Sequence, residues 1–352
     1  MKYLIYGAYG YTGQLIARLA KDKGHTPVLA GRNEEKTKAQ ANELTLDYKC
    51  FDLSESDKLK EALEEVETVL HCAGPFGSTA KVMIEACLAT KTNYLDITGE
   101  IEVFELAASY DKSAQEAGIL IMPGIGFDVV PSDCLAQYLY SKMPDATHLE
   151  LAFMGESSTS RGTALTMTQG IAKGGAIRKE GKIIPVPHAY ATRTLNLDGK
   201  EKSFVAIPWG DVSTAYRSTG IPNIMVYTGA HPDQISKMKT LQKLKWLMKR
   251  KFVQNYLQNK IRKNVTGPSE KKRDESKSYL WGEVRNKKGD VMAAKLTTLE
   301  GYKLTSITSL MVIDEMIKNK LGSGFMTPSM AFGADFIIDY YLSDLYFGDT
   351  RL

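Results

Sequence analysis

The chain has 352 residues, 43% of them hydrophobic and 24% charged, and a formal net charge of +4. That length exceeds one typical compact core and predicts two domains, while the ordinary composition excludes a disordered or fibrous chain. So small a net charge excludes nucleic-acid binding by a global field and leaves only a concentrated patch as a route to it. The opening "MKYLIYGAYG" is too short an apolar run for a signal peptide, and no later stretch reaches the ~20 apolar residues of a membrane span, so a cytoplasmic protein is expected. Cys50, Cys72, Cys87 and Cys134 show no CxxC spacing and fit reduced thiols.

In chain order, "KYLIY" reads as the first strand, "QLIARLAKDKG" as its helix and "TPVLAG" as the second strand. "DYKCF" is the third strand, followed by a helix in "SESDKLKEALEEV". There Ser54 is the expected cap with Asp57 three residues on, and Leu59, Ala62, Leu63 and Val66 recur at helical spacing. "ETVLHCAG", "NYLDI" and "GILIMPG" supply three more strands, each preceded by a helical segment. Strands alternating with helices predict a doubly wound parallel sheet. After "GIGFDVVPSD" (residues 124 to 133) longer β-like stretches appear, among them "HLELAFMG", "KIIPVP", "SFVAIPWG" and "NIMVYTG", which suit a mixed sheet. Residues 237 to 263 hold ten Lys and Arg and no acid, with Leu241, Leu244, Met248, Phe252 and Tyr256 at helical spacing. This predicts a basic amphipathic helix or helix pair, read either as a solvated face or as a docking surface for anionic lipid or an acidic partner. The tail from Thr327 and Pro328 predicts a strongly apolar helix. The expected division is 1–130 plus 323–352 for the first domain and 131–322 for the second, substrate-binding one.

The most informative stretch is "LIYGAYGYTGQLIARLA", where Gly7, Gly10 and Gly13 sit between an apolar strand and an apolar helix. In a nucleotide-binding turn the first glycine allows the tight bend, the second lets backbone approach a pyrophosphate, and the third lets helix pack on strand. Tyr11 and Thr12 then place N–H groups at a helix N-terminus, which favours an anion. Tyr9 stands where a GxGxxG fingerprint has its middle glycine. The second strand ends in Gly31, Arg32 and Asn33 rather than in the carboxylate that holds a free ribose 2'-hydroxyl, and arginine suits a 2'-phosphate, so NADP is the expected cofactor.

Taken in order, "GAYGYTG", "AGR", "HCAGPFG", "YLDITGE" and "GFDVVPSD" resemble the saccharopine dehydrogenase-like oxidoreductases, in particular their trans-acting enoyl reductase branch. The resemblance continues through "RGTALTMTQGI", "PWGDVSTAYRSTGIPN", "GPSEKKRDESKSYLWGEV" and "FMTPSMAFG". It implies an α/β fold: a Rossmann-type doubly wound domain binding NADP, a second α/β mixed-sheet substrate domain, and a C-terminal helix rejoining the first. On matching positions it implies that Gly7, Gly10, Tyr11, Thr12 and Gly13 hold the pyrophosphate, Arg32 the 2'-phosphate, and Asp52 or Leu53 the adenine. Ala73, Gly74, Pro75 and Phe76 would line the ribose, with Thr98, Gly99 and "GFD" nearer the nicotinamide. Tyr9 departs from the commoner form of that motif.

Hydride transfer needs orientation, an apolar pocket and sometimes a proton donor. Glu100 and Asp128 follow strand ends on the cofactor side and read either as that donor or as capping and turn residues. Two YxxxK pairs, Tyr138 with Lys142 and Tyr256 with Lys260, are about what 18 tyrosines yield by chance. Arg161, Arg193 and Arg217 are the cations available to a charged substrate, whereas an acyl substrate suits residues 237 to 263. Five dispersed histidines give no metal spacing. The expected function is therefore reduction of an electron-poor carbon (enoyl, imine or keto) in a small-molecule or acyl substrate. The alternative is a non-catalytic NADP-binding protein docked to a membrane or carrier, and a homodimer is a further expectation.

Overall fold

A computed structural model describes residues 1–197, 200–243 and 250–347. The chain divides into two compact units: Met1–Val130 with Tyr302–Ala331, and Pro131–Gly301 with the residues from Phe332 onward.

In the first unit, six strands follow one another as β1 (Tyr3–Tyr6), β2 (Val28–Gly31), β3 (Tyr48–Cys50), β4 (Thr68–His71), β5 (Asn93–Asp96) and β6 (Leu120–Met122). They lie in the order β6-β5-β4-β1-β2-β3, all parallel, and the short strand Gly324–Phe325 extends the β6 edge. Every residue of β1, β2 and β4 is buried, as strands covered by helices on both faces require. The helix Tyr11–Asp22 turns Gly13, Ile16, Ala17 and Ala20 to the sheet, and the helix Ser56–Glu64 turns Leu59, Ala62 and Leu63 inward. Ser54 does not cap the latter. Its N–H and hydroxyl both donate to Asp52 Oδ1, at 3.0 and 2.7 Å, and this local turn displaces the helix start to Ser56. β1 lies between β2 and β4, so the sheet's topological switch point falls at the carboxyl end of β1, where such sheets bind ligands.

The C-terminal part is distributed differently from a 323–352 return to the first unit. The helix Gly301–Lys318, absent from the expected elements, contributes to the first unit from Tyr302 on. Thr305 Oγ1 accepts from Phe127 N at 3.0 Å and the Thr308 hydroxyl donates to Ile125 O at 2.8 Å, so this helix holds the segment after β6. The apolar tail is not one helix. Gly333, at φ +81, separates Pro328–Phe332 from Asp335–Tyr341, and the chain then enters a strand, Leu342–Phe347. That strand finds a sheet edge in the second unit, which is why the tail ends there.

The second unit is built on β7 (Ala146–Gly155), β8 (Gly175–Lys179), β9 (Lys182–Val186), β10 (Thr192–Leu197), β11 (Lys200–Ala206), β12 (Asn223–Gly229), β13 (Lys277–Asn286) and β14 (Val291–Leu299). The sheet runs β10-β11-β12-β7-β13-β14 and ends on Leu342–Phe347, with the β8–β9 hairpin attached at β12. Among the described residues only the β12–β7 pair is parallel, so the sheet is mixed. Leu195, Leu197, Phe204, Tyr227 and Trp281 pack together over it. The basic segment forms part of a helix pair, Pro232–Lys243 and Lys251–Asn264; Leu244 and Met248 lie outside the described residues. Among the described residues no helix is long and apolar enough to cross a membrane.

Candidate active site: a glycine cradle and two strand-end carboxyls

The glycine turn is bound to its surroundings by backbone. Gly7, at φ +84, and Ala8 both donate to Ala30 O, at 2.8 and 3.1 Å, and Gly10 N closes the turn on Gly7 O at 2.9 Å. A Cβ on Gly7 would stand 2.9 Å from both Ala73 N and Ala73 Cβ, and one on Gly13 only 2.4 Å from Gly7 O. Bare backbone thus meets bare backbone from β1, the β4 end and the first helix. The helix Tyr11–Asp22 begins after Gly10 with no side-chain cap and no acid in its first turn. A backbone cradle opening onto a helix N-terminus, with no carboxylate set against an anion, fits the pyrophosphate of a dinucleotide. Tyr11 lies edge-on to Tyr302, with ring centroids 5.0 Å apart.

Around the ends of β2 and β3, Arg32 is exposed, and its charge helps to hold the Asp52 carboxyl below the usual carboxylate range, after the two hydrogen bonds from Ser54. Leu53 packs partly buried against the core. The side chain of Asn33 serves the fold, because its Oδ1 accepts from Lys36 N at 2.9 Å as the N-cap of the helix Glu34–Leu44. Its Oδ1 is therefore engaged in the cap, at a position where the sequence also predicts a cofactor contact.

At the ends of β4 and β5, Ala73 abuts Gly7, and Gly74 and Pro75 lead into the helix Phe76–Thr90. Glu100 serves that helix. Its two oxygens accept from Phe76 N at 2.9 Å and Gly77 N at 3.0 Å, the geometry of a carboxylate cap rather than of a proton donor. Thr98 is buried and its hydroxyl oxygen accepts from Glu100 N at 3.1 Å. Gly99 has no room for a side chain because the Asp128 carboxyl lies against it; a Cβ there would be 3.0 Å from Oδ2. Burial of the Asp128 carboxyl pushes its pKa up to about 7.

Two further buried groups stand at the ends of β4 and β5. Asp96, at the end of β5, is fully buried and accepts from Tyr94 OH at 2.6 Å and from Thr98 N and Gly124 N, each at 2.9 Å. Burial pushes its pKa up to about 6, against the pull of those hydrogen bonds. His71, beside it in register, is fully buried with its pKa pushed down to about 3 by burial, so it is neutral. The Thr79 hydroxyl donates to Ala73 O at 2.9 Å, so its oxygen accepts the Nε2 proton of His71, also at 2.9 Å. The signal for Asp96 was present in "YLDITGE", an acid at a strand's last position followed by threonine, where a carboxylate takes the turn's N–H groups.

In the second unit, Arg193 is not a free cation. It pairs with Glu150 and Glu283 and stands 4.3 Å over the Trp281 ring, within the sheet's own packing. Arg161 Nε donates to Val265 O at 3.0 Å, and Arg217 is exposed on the helix Asp211–Thr219. Lys142 lies 5.4 Å over the Tyr138 ring, a surface cation–π contact. Among the described residues no group of His, Cys, Asp and Glu converges as a metal site requires.

Residues 3–122 match the family model of the saccharopine dehydrogenase NADP binding domain. Curated relatives include a probable mitochondrial saccharopine dehydrogenase-like oxidoreductase of Arabidopsis thaliana, 31% identical over 37% of this chain and 32% of its own length. A saccharopine dehydrogenase-like oxidoreductase of Bos taurus is 28% identical over 45% of this chain and 42% of its own. A trans-acting enoyl reductase of Mycobacterium ulcerans is 24% identical over 54% of this chain and 49% of its own. The chain thus spans half or less of the length of these relatives. The solved saccharopine dehydrogenase (L-Glu forming) of Saccharomyces cerevisiae shares the fold, with a TM-score of 0.66 over 98% of this chain and 99% of that one at 11% identity.

Proposed function

We propose that this chain, whose residues 3–122 match the saccharopine dehydrogenase NADP binding domain, is an NADP-dependent oxidoreductase. It transfers hydride to an electron-poor carbon, in an enoyl, imine or keto group of a small-molecule or acyl substrate. The observation that carries this reading is the placement of Asp128. Its carboxyl lies against Gly99, at the same carboxyl edge of the sheet as the glycine cradle, with a pKa of about 7. NADPH supplies the hydride. The chain's own contribution is the cradle that orients the cofactor, Arg32 as the partner of a 2'-phosphate, and a proton held at Asp128 Oδ for the atom beside the reduced carbon. Glu100, with both oxygens on helix N–H groups, positions the Pro75–Phe76 turn instead.

Asp128 as proton donor has a signed pH dependence. A general acid acts protonated, so turnover falls as pH rises through about 7. Asp128→Asn is expected to keep its affinity for NADPH while turnover on a panel of enoyl, imine and keto substrates falls about 10²-fold or more and the limb near neutral pH disappears. Stopped-flow oxidation of bound NADPH reads both. An Asp128→Asn enzyme with normal turnover and an unchanged profile removes the donor role.

A second reading, contact with an anionic membrane, is favoured by the helix Lys251–Asn264. Val253, Leu257 and Ile261 form its half-buried side, beside the helix Arg161–Lys173, while Phe252 and Tyr256 stand 69% and 67% exposed among the basic residues. Aromatic side chains and cations on one outward face suit the headgroup layer. The purified chain is expected to float with phosphatidylserine-containing vesicles at low salt and not with phosphatidylcholine alone, the binding declining with added salt and in Phe252→Ser/Tyr256→Ser. Absence of flotation at low salt discards the membrane reading and leaves the reductase reading standing.

A further inference from the structure

We infer that Tyr9, seated on Gly31, acts with Arg32 to set the preference for NADP over NAD. The inference rests on the cofactor assignment above and concerns which side chains recognise the 2'-phosphate. In a GxGxxG turn the residue at this position is a glycine, and the end of β2 carries a carboxylate that takes the ribose 2'-hydroxyl. Both features are exchanged here. The Tyr9 ring leaves the turn and lies against the last residue of β2: a Cβ on Gly31 would stand 2.5 Å from Tyr9 Cε1 and 3.0 Å from Cδ1. A side chain at Gly31 would displace the ring from this position, so Tyr9 and Gly31 form a matched pair. The place of the NAD-type carboxylate is thereby taken by a phenol, and the next residue is an arginine.

The charges nearby agree. The Tyr6 hydroxyl donates to Phe51 O at 3.1 Å; burial above all raises its pKa, Asp52 and Tyr9 add to the rise, and Arg32 opposes it. These side chains therefore converge over the ends of β1, β2 and β3. Asp52, the carboxylate that would repel a phosphate, is tied to Ser54 by hydrogen bonds of 2.7 and 3.0 Å. Half-buried Tyr9 and exposed Arg32 are then the donors this strand end offers, one a neutral O–H and the other a planar fork of charged donors. A phosphate dianion accepts from both, whereas a 2'-hydroxyl satisfies neither as fully. The half-buried Tyr9 ring, held in place by Gly31, is oriented before the ligand arrives, which lowers the entropy of making that hydrogen bond.

The test is equilibrium titration of the full chain with NADPH and with NADH, followed by nicotinamide fluorescence, in Tyr9→Phe, Gly31→Ala and Arg32→Ala. Tyr9→Phe removes one hydroxyl and keeps the ring seat. It is expected to weaken NADPH about tenfold or more and to leave NADH within about twofold, the loss of one hydrogen bond to a charged group. Gly31→Ala pushes the ring off its seat and is expected to lower the NADPH:NADH ratio in the same direction, with circular dichroism confirming that the variant is folded. Unchanged ratios in both variants, while Arg32→Ala collapses the preference, overturn the role of Tyr9 and leave the Arg32 assignment intact. An Arg32→Ala protein that keeps its preference instead overturns the assignment of the 2'-phosphate to this strand end.

Discussion

Gly13→Ala is expected to abolish NADPH binding and to lower the stability of the chain by about 3 kcal/mol, at the upper end of what overpacking of a tight core costs. The added methyl carbon would lie 2.4 Å from Gly7 O, 2.9 Å from Ala8 O and 3.0 Å from Ala8 Cα. All three are backbone atoms, and Gly7 and Ala8 are anchored by hydrogen bonds to Ala30 O. No side chain can swing aside. The strain is relieved only by moving the helix Tyr11–Asp22 away from β1, which opens the cradle itself. Gly10→Ala is the informative contrast, because its Cβ meets only Gly7 O, at 3.1 Å, and otherwise open space. Stability there is expected to change by less than about 1 kcal/mol, while binding is lost because the methyl group occupies the ground a pyrophosphate must approach. Urea denaturation and NADPH titration of the two variants separate packing from approach. Wild-type affinity in both excludes this turn as the cradle.

Asp96→Ala is expected to cost about 3 to 6 kcal/mol, from three buried donors left without an acceptor at about 1 to 2 kcal/mol each. Tyr94 OH, Thr98 N and Gly124 N all converge on this one carboxylate, and through them β5, its following turn and the segment after β6 are held in register. Asp96→Asn retains one acceptor oxygen, so its loss is smaller. It also removes a pH dependence whose sign follows from linkage. Burial raises the Asp96 pKa in the folded state from the ordinary 3.8 to about 6, so over that interval the folded chain binds more protons than the unfolded one. This group's contribution to stability is thus greatest below about pH 4, declines as pH rises towards 6, and is level above it. Denaturant midpoints of wild type and Asp96→Asn across this range should converge as pH rises. Parallel curves would show that Asp96 carries no such proton.

The two variants also mark the limits of what could be read from the chain alone. The glycine turn was legible because each of its three glycines has a separate physical reason, and the strand and helix that bracket it follow from local apolar spacing. The charge of Arg32 at the end of β2 is legible because that strand end follows from the same alternation. Asp96 is legible only as a strand-end acid beside threonine, because nothing in the sequence marks that donors from its own strand, the turn after it and the segment after β6 meet on it. Glu100 read equally well as a donor or as a cap. Only the position of Phe76 N and Gly77 N, twenty-three or more residues away, gives it the geometry of a cap. Arg193 looked available to a substrate because Glu150 and Glu283, its partners, are distant in sequence.

The alternation of the first unit, its parallel sheet, the position of the glycine turn and the charge at the end of β2 are all legible in the chain alone. All of these depend on neighbours within one or two turns or strands, where residue type and period are enough. The tertiary structure alone decided that the tail breaks at Gly333 and ends as a strand on β14, that the helix Gly301–Lys318 belongs with the first unit, and that Tyr9 lies on Gly31. Each of these depends on which surfaces meet across a fold, and a contact between residues far apart in the chain leaves no period to read.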